Sequence, residues 1–125
     1  MEFKLLKCEV CGKMVAVIKD TPVPTMCCGK PMTVLNANTG DGAYEKHVPV
    51  LERNGNELLV KVGSVDHPML PEHYIQFIVV RTNKGNQRKA LNPGDLPHAT
   101  FQLADDEEVL EVLEYCNLHG LYKAA

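Results

Sequence analysis

Cys116 and His119, near the end of the chain, are the pair whose type and spacing best suit a metal ion. They lie three positions apart in Tyr115-Cys116-Asn117-Leu118-His119-Gly120, a tight segment in which both side chains can turn toward one ion. The pair alone is a weak signal, because many loops contain a cysteine and a histidine by chance. Three further histidines occur in Glu45-Lys46-His47 and His67-Pro68-Met69-Leu70-Pro71-Glu72-His73. We therefore predict that the chain after residue 36 gathers these side chains onto one metal ion.

Four of the five cysteines lie in the first 28 residues, as Cys8-Glu9-Val10-Cys11 and the adjacent pair Cys27-Cys28. An odd number of cysteines in this placement argues against a disulfide framework. In a reducing compartment, where thiols stay free, the pattern is better suited to metal ligation. The sequence therefore predicts a second metal site in residues 1–36.

This N-terminal segment is too short to be stabilised by an apolar core alone, so a bound metal ion would supply the missing stability. Four thiolates permit tetrahedral zinc or iron, and their spacing taken by itself favours a zinc ribbon. The adjacent cysteines Cys27 and Cys28 are unusual in a ribbon, because neighbouring side chains on an extended backbone point to opposite faces and need a local kink to share one ion. A redox pair of the thioredoxin type is disfavoured, since no βαβ pattern surrounds Cys8 and Cys11.

The composition excludes several classes of function. The chain has 125 residues and a formal charge of −3, without the basic patch that nucleic-acid binding requires. No apolar run approaches the roughly 20 residues that span a bilayer, and the first residues contain no signal-peptide core. We predict a cytoplasmic protein that has neither nucleic acid nor a membrane as a partner.

Beyond a polar, glycine-rich boundary at residues 36–42, short apolar segments separated by turns predict strands. Asn54-Gly55-Asn56 predicts a hairpin, because Asn-Gly readily supplies the positive φ that such turns need. Residues 107–115 are ambiguous, since their apolar positions suit a short helical face whereas their β-branched residues favour an edge or returning strand. Strands recurring at this spacing predict an antiparallel β-sandwich. The predicted strands are residues 4–7, 14–18, 48–53, 57–62, 74–82, 87–91 and 98–103.

Two resemblances sharpen this interpretation. The cysteine motifs, with Cys27-Cys28-Gly29-Lys30-Pro31-Met32, resemble desulforedoxin, a small rubredoxin-like protein that holds iron in four thiolates. The histidine motifs, including Gly63-Ser64-Val65-Asp66-His67-Pro68-Met69 and the segment around Cys116, resemble desulfoferrodoxin, the two-iron superoxide reductase. The second resemblance covers essentially the whole chain. It implies an all-β protein with a desulforedoxin-like module at residues 1–36 and an immunoglobulin-like antiparallel β-sandwich at residues 37–125.

The resemblance also implies the roles of individual residues. One iron would be held by Cys8, Cys11, Cys27 and Cys28, and a second by His47, His67, His73 and His119 as equatorial ligands with Cys116 as the axial ligand. Glu45 would close the sixth position of the oxidised, resting iron. Lys46, next to His47, is our candidate for steering superoxide and holding a water that delivers protons; without the resemblance it would be interpreted as an ordinary surface lysine. The fifth histidine, His98, has no cysteine or second histidine near it, and we predict that it is not a ligand.

The function implied is one-electron reduction of superoxide to hydrogen peroxide without release of oxygen, in defence against oxidative stress. Rubredoxin or a similar carrier would supply the electron, and the chain would form a homodimer. Two other classes remain open at this point. A structural zinc ribbon would make the histidines incidental, whereas a pure electron carrier would use both irons but have no open coordination position.

Overall fold

The computed structural model describes residues 3–38, 40 and 42–124. The chain divides into two compact units, Met1–Asn36 and Ala37–Ala125. Almost all the regular structure in both units is antiparallel β-sheet, which confirms the predicted all-β class. No helix among the described residues is long and apolar enough to cross a membrane.

The N-terminal unit consists of short strands. Their bounds are Lys4–Lys7 (β1), Met14–Val17 (β2), Met26–Cys27 (β3), Lys30–Pro31 (β4) and Thr33–Val34 (β5). Strand β1 pairs with β2 on one side and β5 on the other, and β3 pairs with β4. Among the described residues of this unit, the buried side chains are those of Leu5, Leu6 and Cys8. Such a small buried set leaves the unit dependent on another source of stability.

Two turns of this unit place the cysteines. At the first turn, Gly12 has a φ of 83° and its N–H donates to the carbonyl of Cys8 at 2.9 Å. At the second, Cys28 and Gly29 have φ values of 52° and 75° between β3 and β4. The left-handed backbone at Cys28 is the kink that adjacent cysteines need in order to face one ion.

The second unit contains one short helix and seven strands among its described residues. Their bounds are Tyr44–His47 (α1), Pro49–Asn54 (β6), Glu57–Val62 (β7), Ile75–Thr82 (β8), Gly85–Ala90 (β9), His98–Gln102 (β10), Val109–Cys116 (β11) and Gly120–Ala124 (β12). One sheet has the order β10-β7-β6 and the other β12-β11-β8-β9. The predicted hairpin turn joins β6 to β7, with Gly55 at a φ of 61°.

The two sheets enclose one apolar core, as predicted for a sandwich. Strand β7 shows the expected alternation, with Leu58, Val60 and Val62 fully buried and the residues between them more exposed. Opposite residues come from the other sheet, notably Ile78 and Val112. Because successive strand residues alternate between faces, this core fixes the register of the strands whose ends carry the candidate ligands.

Residues 109–116 form strand β11, which resolves the ambiguity of that segment in favour of a strand. Of the two expected positions, edge or returning strand, β11 takes the second, because it returns antiparallel beside β8 and is covered on its other side by β12. The neighbour missed by the sequence interpretation is β12, whose Gly120 pairs with Cys116 directly after the turn. The last strand of the chain thus places Cys116 inside the sheet.

Helix α1 is a single turn whose position is fixed by two local features. It ends at His47, because Val48 precedes Pro49 and is held in extended conformation with φ −73° and ψ 122°. The backbone of the helix lies against Gly63, where an added Cβ would approach the carbonyl oxygens of Glu45 and Val48 within 2.7 and 2.9 Å. Glycine therefore allows the β7–β8 loop to pack directly on the helix backbone.

Candidate metal centres

The sulfur atoms of Cys8, Cys11, Cys27 and Cys28 all lie within 4.8 Å of one another. The Cys11 and Cys27 sulfurs are 3.7 Å apart. A tetrahedral ion with metal–sulfur bonds of about 2.3 Å separates its ligands by about 3.8 Å, so the spacing fits a single bound ion. All five cysteines of the chain are free of disulfides.

The protons of these four thiols cannot be lost independently. A backbone N–H of Cys11 that points at the Cys8 sulfur lowers the pKa of Cys8 to about 6. Hydrogen bonds with Cys8 and Cys11 raise the pKa of Cys27 to about 12. Four thiolates so close together repel one another, and a cation is what allows all of them to ionise.

The second cluster contains His47, His67, His73, His119 and Cys116, whose ligand atoms also lie within 4.8 Å of one another. The four rings form a cycle. Neighbouring centroids are 4.6 Å apart for His47 and His67, 4.7 Å for His67 and His73, 5.1 Å for His73 and His119, and 4.9 Å for His119 and His47. The rings are steeply inclined to their neighbours, and one nitrogen of each lies within 4.8 Å of the others.

Proton positions on two of these rings show why the cluster needs a cation. The Nδ1 of His47 lies 2.7 Å from the Ala43 carbonyl, and the Nδ1 of His67 lies 2.7 Å from the Pro68 carbonyl. A carbonyl only accepts, so both Nδ1 atoms carry the proton and both Nε2 atoms present lone pairs. Those two Nε2 atoms face each other at 3.1 Å. Nitrogen ligands at about 2.1 Å on adjacent positions of one ion would lie about 3 Å apart, so the spacing fits a shared ion.

The remaining donors complete the same arrangement. The buried Nε2 of His73 has no hydrogen-bond partner among the described residues. The Nδ1 of His119 lies 3.1 Å from the His47 Nε2 and 3.7 Å from the Cys116 sulfur. Burial lowers the pKa of His67 to about 4 and also lowers the pKa of His47 and His73, which keeps these rings neutral at neutral pH. Neutral imidazole is the form that binds a metal.

Burial raises the pKa of the Cys116 thiol, whereas backbone N–H groups of Leu118 and His119 at its sulfur act in the opposite direction. Such donors stabilise a thiolate. Four imidazoles and one thiolate exceed the four ligands usual for zinc and suit iron, whereas the all-sulfur cluster suits zinc or iron. The residues present therefore fit two metal ions with different chemistry.

Three segments carry the second donor set. Helix α1 provides His47, the β7–β8 loop provides His67 and His73, and the end of β11 with the turn that follows it provides Cys116 and His119. The sandwich brings these segments together even though 72 positions separate His47 from His119. The structure thus places together all nine side chains that the sequence singled out as ligands, in two clusters.

Three other sequence candidates have different surroundings. Glu45 and Lys46 are exposed on α1, and neither belongs to a donor cluster. Burial is the main cause that lowers the pKa of His47 and His73, neighbouring histidines add to it, and the positive charge of Lys46 acts in the same direction as the smallest cause. His98 lies outside both clusters, and its Nε2 is 3.1 Å from Asp66 Oδ1.

Several residues near the cluster were missed by the sequence interpretation. Ser64 donates its hydroxyl to the Glu45 carbonyl at 3.2 Å, and the Val65 N–H donates to the same oxygen at 2.9 Å. Asn117 binds the segment around His73. Glu114 is fully buried two positions before Cys116, and burial raises the pKa of its carboxyl to about 9. Ser64 and Asn117 act through neighbours that the fold brings in, whereas the carboxyl oxygens of Glu114 have no hydrogen-bond partner among the described residues.

The fold and the two donor sets define a β-sandwich metalloprotein with one all-sulfur centre and one nitrogen-and-sulfur centre. The model of the desulfoferrodoxin family matches residues 39–125. A desulfoferrodoxin of Syntrophotalea carbinolica is 48% identical over 123 residues, which cover 98% of this chain and 96% of that protein. The crystal structure of the superoxide reductase from Treponema pallidum matches with a TM-score of 0.85 and 38% identity, covering 100% of both chains.

A shorter relative, the superoxide reductase of Pyrococcus horikoshii, is 34% identical over 102 residues, covering 68% of this chain and 89% of its own. The family model matches most of the chain, and the Syntrophotalea carbinolica protein aligns with nearly all of it. This chain belongs to the desulfoferrodoxin family.

Removing metal from the four-cysteine cluster is expected to unfold the N-terminal unit, because its three buried side chains supply too little apolar burial. The measurement is amide hydrogen exchange of Met32 and Leu35, whose N–H groups bind the carbonyls of Thr25 and Leu5. Both amides should lose protection in metal-free protein and in Cys11→Ser. Lys19→Ser is the control: because Lys19 is exposed, both amides should stay protected in the metal-loaded variant. Full protection of both amides in metal-free protein would contradict the expectation.

Proposed function

We propose that this protein is a superoxide reductase, which converts superoxide, one electron and two protons to hydrogen peroxide and releases no oxygen. The observation that carries this conclusion is the convergence of four histidines and one cysteine within 4.8 Å in a chain of the desulfoferrodoxin family. Relatives named superoxide reductase share this fold and support the assignment. The activity would serve in defence against oxidative stress.

The two clusters have separate assignments in this proposal. Residues 1–36 form the four-cysteine module and residues 37–125 the reductase domain. In the module, Cys8, Cys11, Cys27 and Cys28 hold one iron. In the reductase domain, His47, His67, His73, His119 and Cys116 hold the other, which when bound supplies the single electron for superoxide. Five ligands would leave a coordination position of such an iron free for the substrate.

Lys46 is the residue that we propose to attract superoxide. Three net negative charges at roughly 18 Å in water repel the anion by only about 0.7 kcal/mol. One ammonium about 6 Å away, at an effective dielectric constant near 20, attracts it by about 3 kcal/mol. The local charge outweighs the net charge, and the exposed Lys46 can also hold a water that delivers protons.

Glu45 is the second residue that we propose to act at the open position. Its side chain is exposed, while its backbone carbonyl is held by Ser64 and Val65. The carboxylate can therefore change position without movement of the α1 backbone. Glu45 would close the open position in the oxidised resting protein and leave it when the protein is reduced.

The partners follow from the chemistry and the surface. A small one-electron carrier of the rubredoxin type would reduce the protein after each turnover. Free thiols held for ligation support a cytoplasmic location. Exposed apolar side chains on the small N-terminal unit, led by Ile18 at 86% and Val23 at 75% exposure, support a homodimer.

Replacement of a ligand at the second site should abolish the reaction. We expect Cys116→Ser and His119→Ala to lose the iron of this site, its optical band on oxidation and the reduction of superoxide measured by pulse radiolysis. His98→Ala is the matched control, because His98 binds Asp66 and should leave all three unchanged. Retained activity in either ligand variant would refute the assignment.

Lys46→Ala should slow the second-order reaction with superoxide by roughly 10- to 100-fold, because it removes the local attraction. It should also flatten the dependence of the rate constant on ionic strength. Lys84→Ala, which removes the same charge from the pair of Lys84 with Asp106, is the control for net charge. An unchanged rate constant and salt dependence in Lys46→Ala would exclude this role.

A further inference from the structure

Asn117 lies between Cys116 and His119 and bonds to both backbone neighbours of His73. Its Oδ1 accepts the Tyr74 N–H at 2.9 Å, and its Nδ2 donates to the Glu72 carbonyl at 3.0 Å. Its own N–H donates to the Tyr74 carbonyl at 3.2 Å. One residue in the Cys116–His119 turn thus makes three hydrogen bonds to the segment that contains His73.

These bonds replace sheet pairing at the point where it ends. The regular pairing of β8 with β11 stops at Ile75 and Cys116, next to an irregularity in register. Beyond it, the His73 backbone, among the described residues, exchanges hydrogen bonds only with Leu70 on its own loop, at 2.9 and 3.0 Å. The Asn117 side chain is therefore a link between the His73 loop and the turn that carries two other donors.

We propose that Asn117 is a positioning residue, which holds the His73 ring in place against Cys116 and His119 and thereby sets the geometry of the second iron site. This inference rests on the assignment of those three residues as iron ligands. Only a side chain with an acceptor and a donor at the same reach can bind both the Tyr74 N–H and the Glu72 carbonyl. Groups that orient metal ligands in this way commonly change metal affinity by about 10- to 100-fold when removed.

The chain contains a matched control in Asn83, which follows β8 as Asn117 follows β11. The Oδ1 of Asn83 accepts the Glu108 N–H at 2.8 Å, and its own N–H donates to the Glu108 carbonyl at 3.1 Å. Asn83→Ala therefore removes the same kind of side chain-to-backbone bond between the same two strands. None of the residues that bond to it here belongs to a donor cluster.

The test uses the full-length, iron-loaded protein with Asn117→Ala, Asn83→Ala and the unsubstituted chain. We expect a chelator to extract iron from the second site about 10- to 100-fold faster in Asn117→Ala. The optical band of the oxidised second site should shift, while the spectrum of the four-cysteine site stays unchanged. Asn83→Ala should match the unsubstituted chain in both measurements. Equal extraction rates and spectra in Asn117→Ala and the unsubstituted chain, or equal changes in the two variants, would overturn the proposal.

Two further measurements separate the proposal from the ligand assignment. In metal-free protein, the Tyr74 amide should exchange faster in Asn117→Ala, because it loses its acceptor. If His73→Ala loses iron but Asn117→Ala keeps it at the unsubstituted rate, the positioning role alone fails. If His73→Ala also keeps its iron, the ligand assignment fails with it.

Discussion

The close approach of five donor atoms is the constraint on which the reductase site depends. The unprotonated Nε2 atoms of His47 and His67 lie 3.1 Å apart, and lone pairs at that distance repel unless a cation lies between them. The fold must therefore hold the donors together against this repulsion, which a bound ion then offsets. It does so with the sandwich core, which fixes the strand ends, and with carbonyls that fix the ring protons on Nδ1. The four sulfurs of the N-terminal unit are likewise held so close together that they need a cation. Because the apolar core of this unit is small, the bound ion also contributes to its stability.

Helix α1 carries a buried member of the donor cluster and, on the same turn, the two exposed residues that we propose to act on the substrate. Side chains on a helix advance by about 100° per residue, so one turn can present successive residues in different directions. His47 is buried, whereas Glu45 and Lys46 on the same turn are exposed. Because Pro49 ends the helix and Gly63 lets the β7–β8 loop pack on it, the backbone of this turn is fixed from both sides. The exposed side chains of Glu45 and Lys46 can therefore change conformation while the backbone that holds His47 stays in place.

The sequence predicted most of this site because cysteine and histidine are rare and carry their chemistry in short motifs. Alternating apolar residues and Asn-Gly turns likewise predicted the strands and the hairpin of β6 and β7. What the sequence could not supply were features that depend on distant partners. Strand β11 was expected as an edge or returning strand, and its second neighbour was missed, since nothing local in residues 107–115 shows that Gly120–Ala124 pairs beside it. Helix α1 is too short to show a periodicity, and Ser64 acts only because the fold places its hydroxyl near the Glu45 carbonyl.

The asparagines after β8 and β11 show how an ordinary device of the sheet serves the metal site. The two strands are antiparallel, and each is followed by an asparagine that binds the N–H and carbonyl of the residue preceding the other strand. Asn83 does this with Glu108, and Asn117 does it with Tyr74. At the second end the amide also binds Glu72, so the bonds enclose His73. The same hydrogen bonds of Asn117 thus end the strand pair and orient His73. Because an asparagine after a strand is common, this second role gives no separate signal in the sequence.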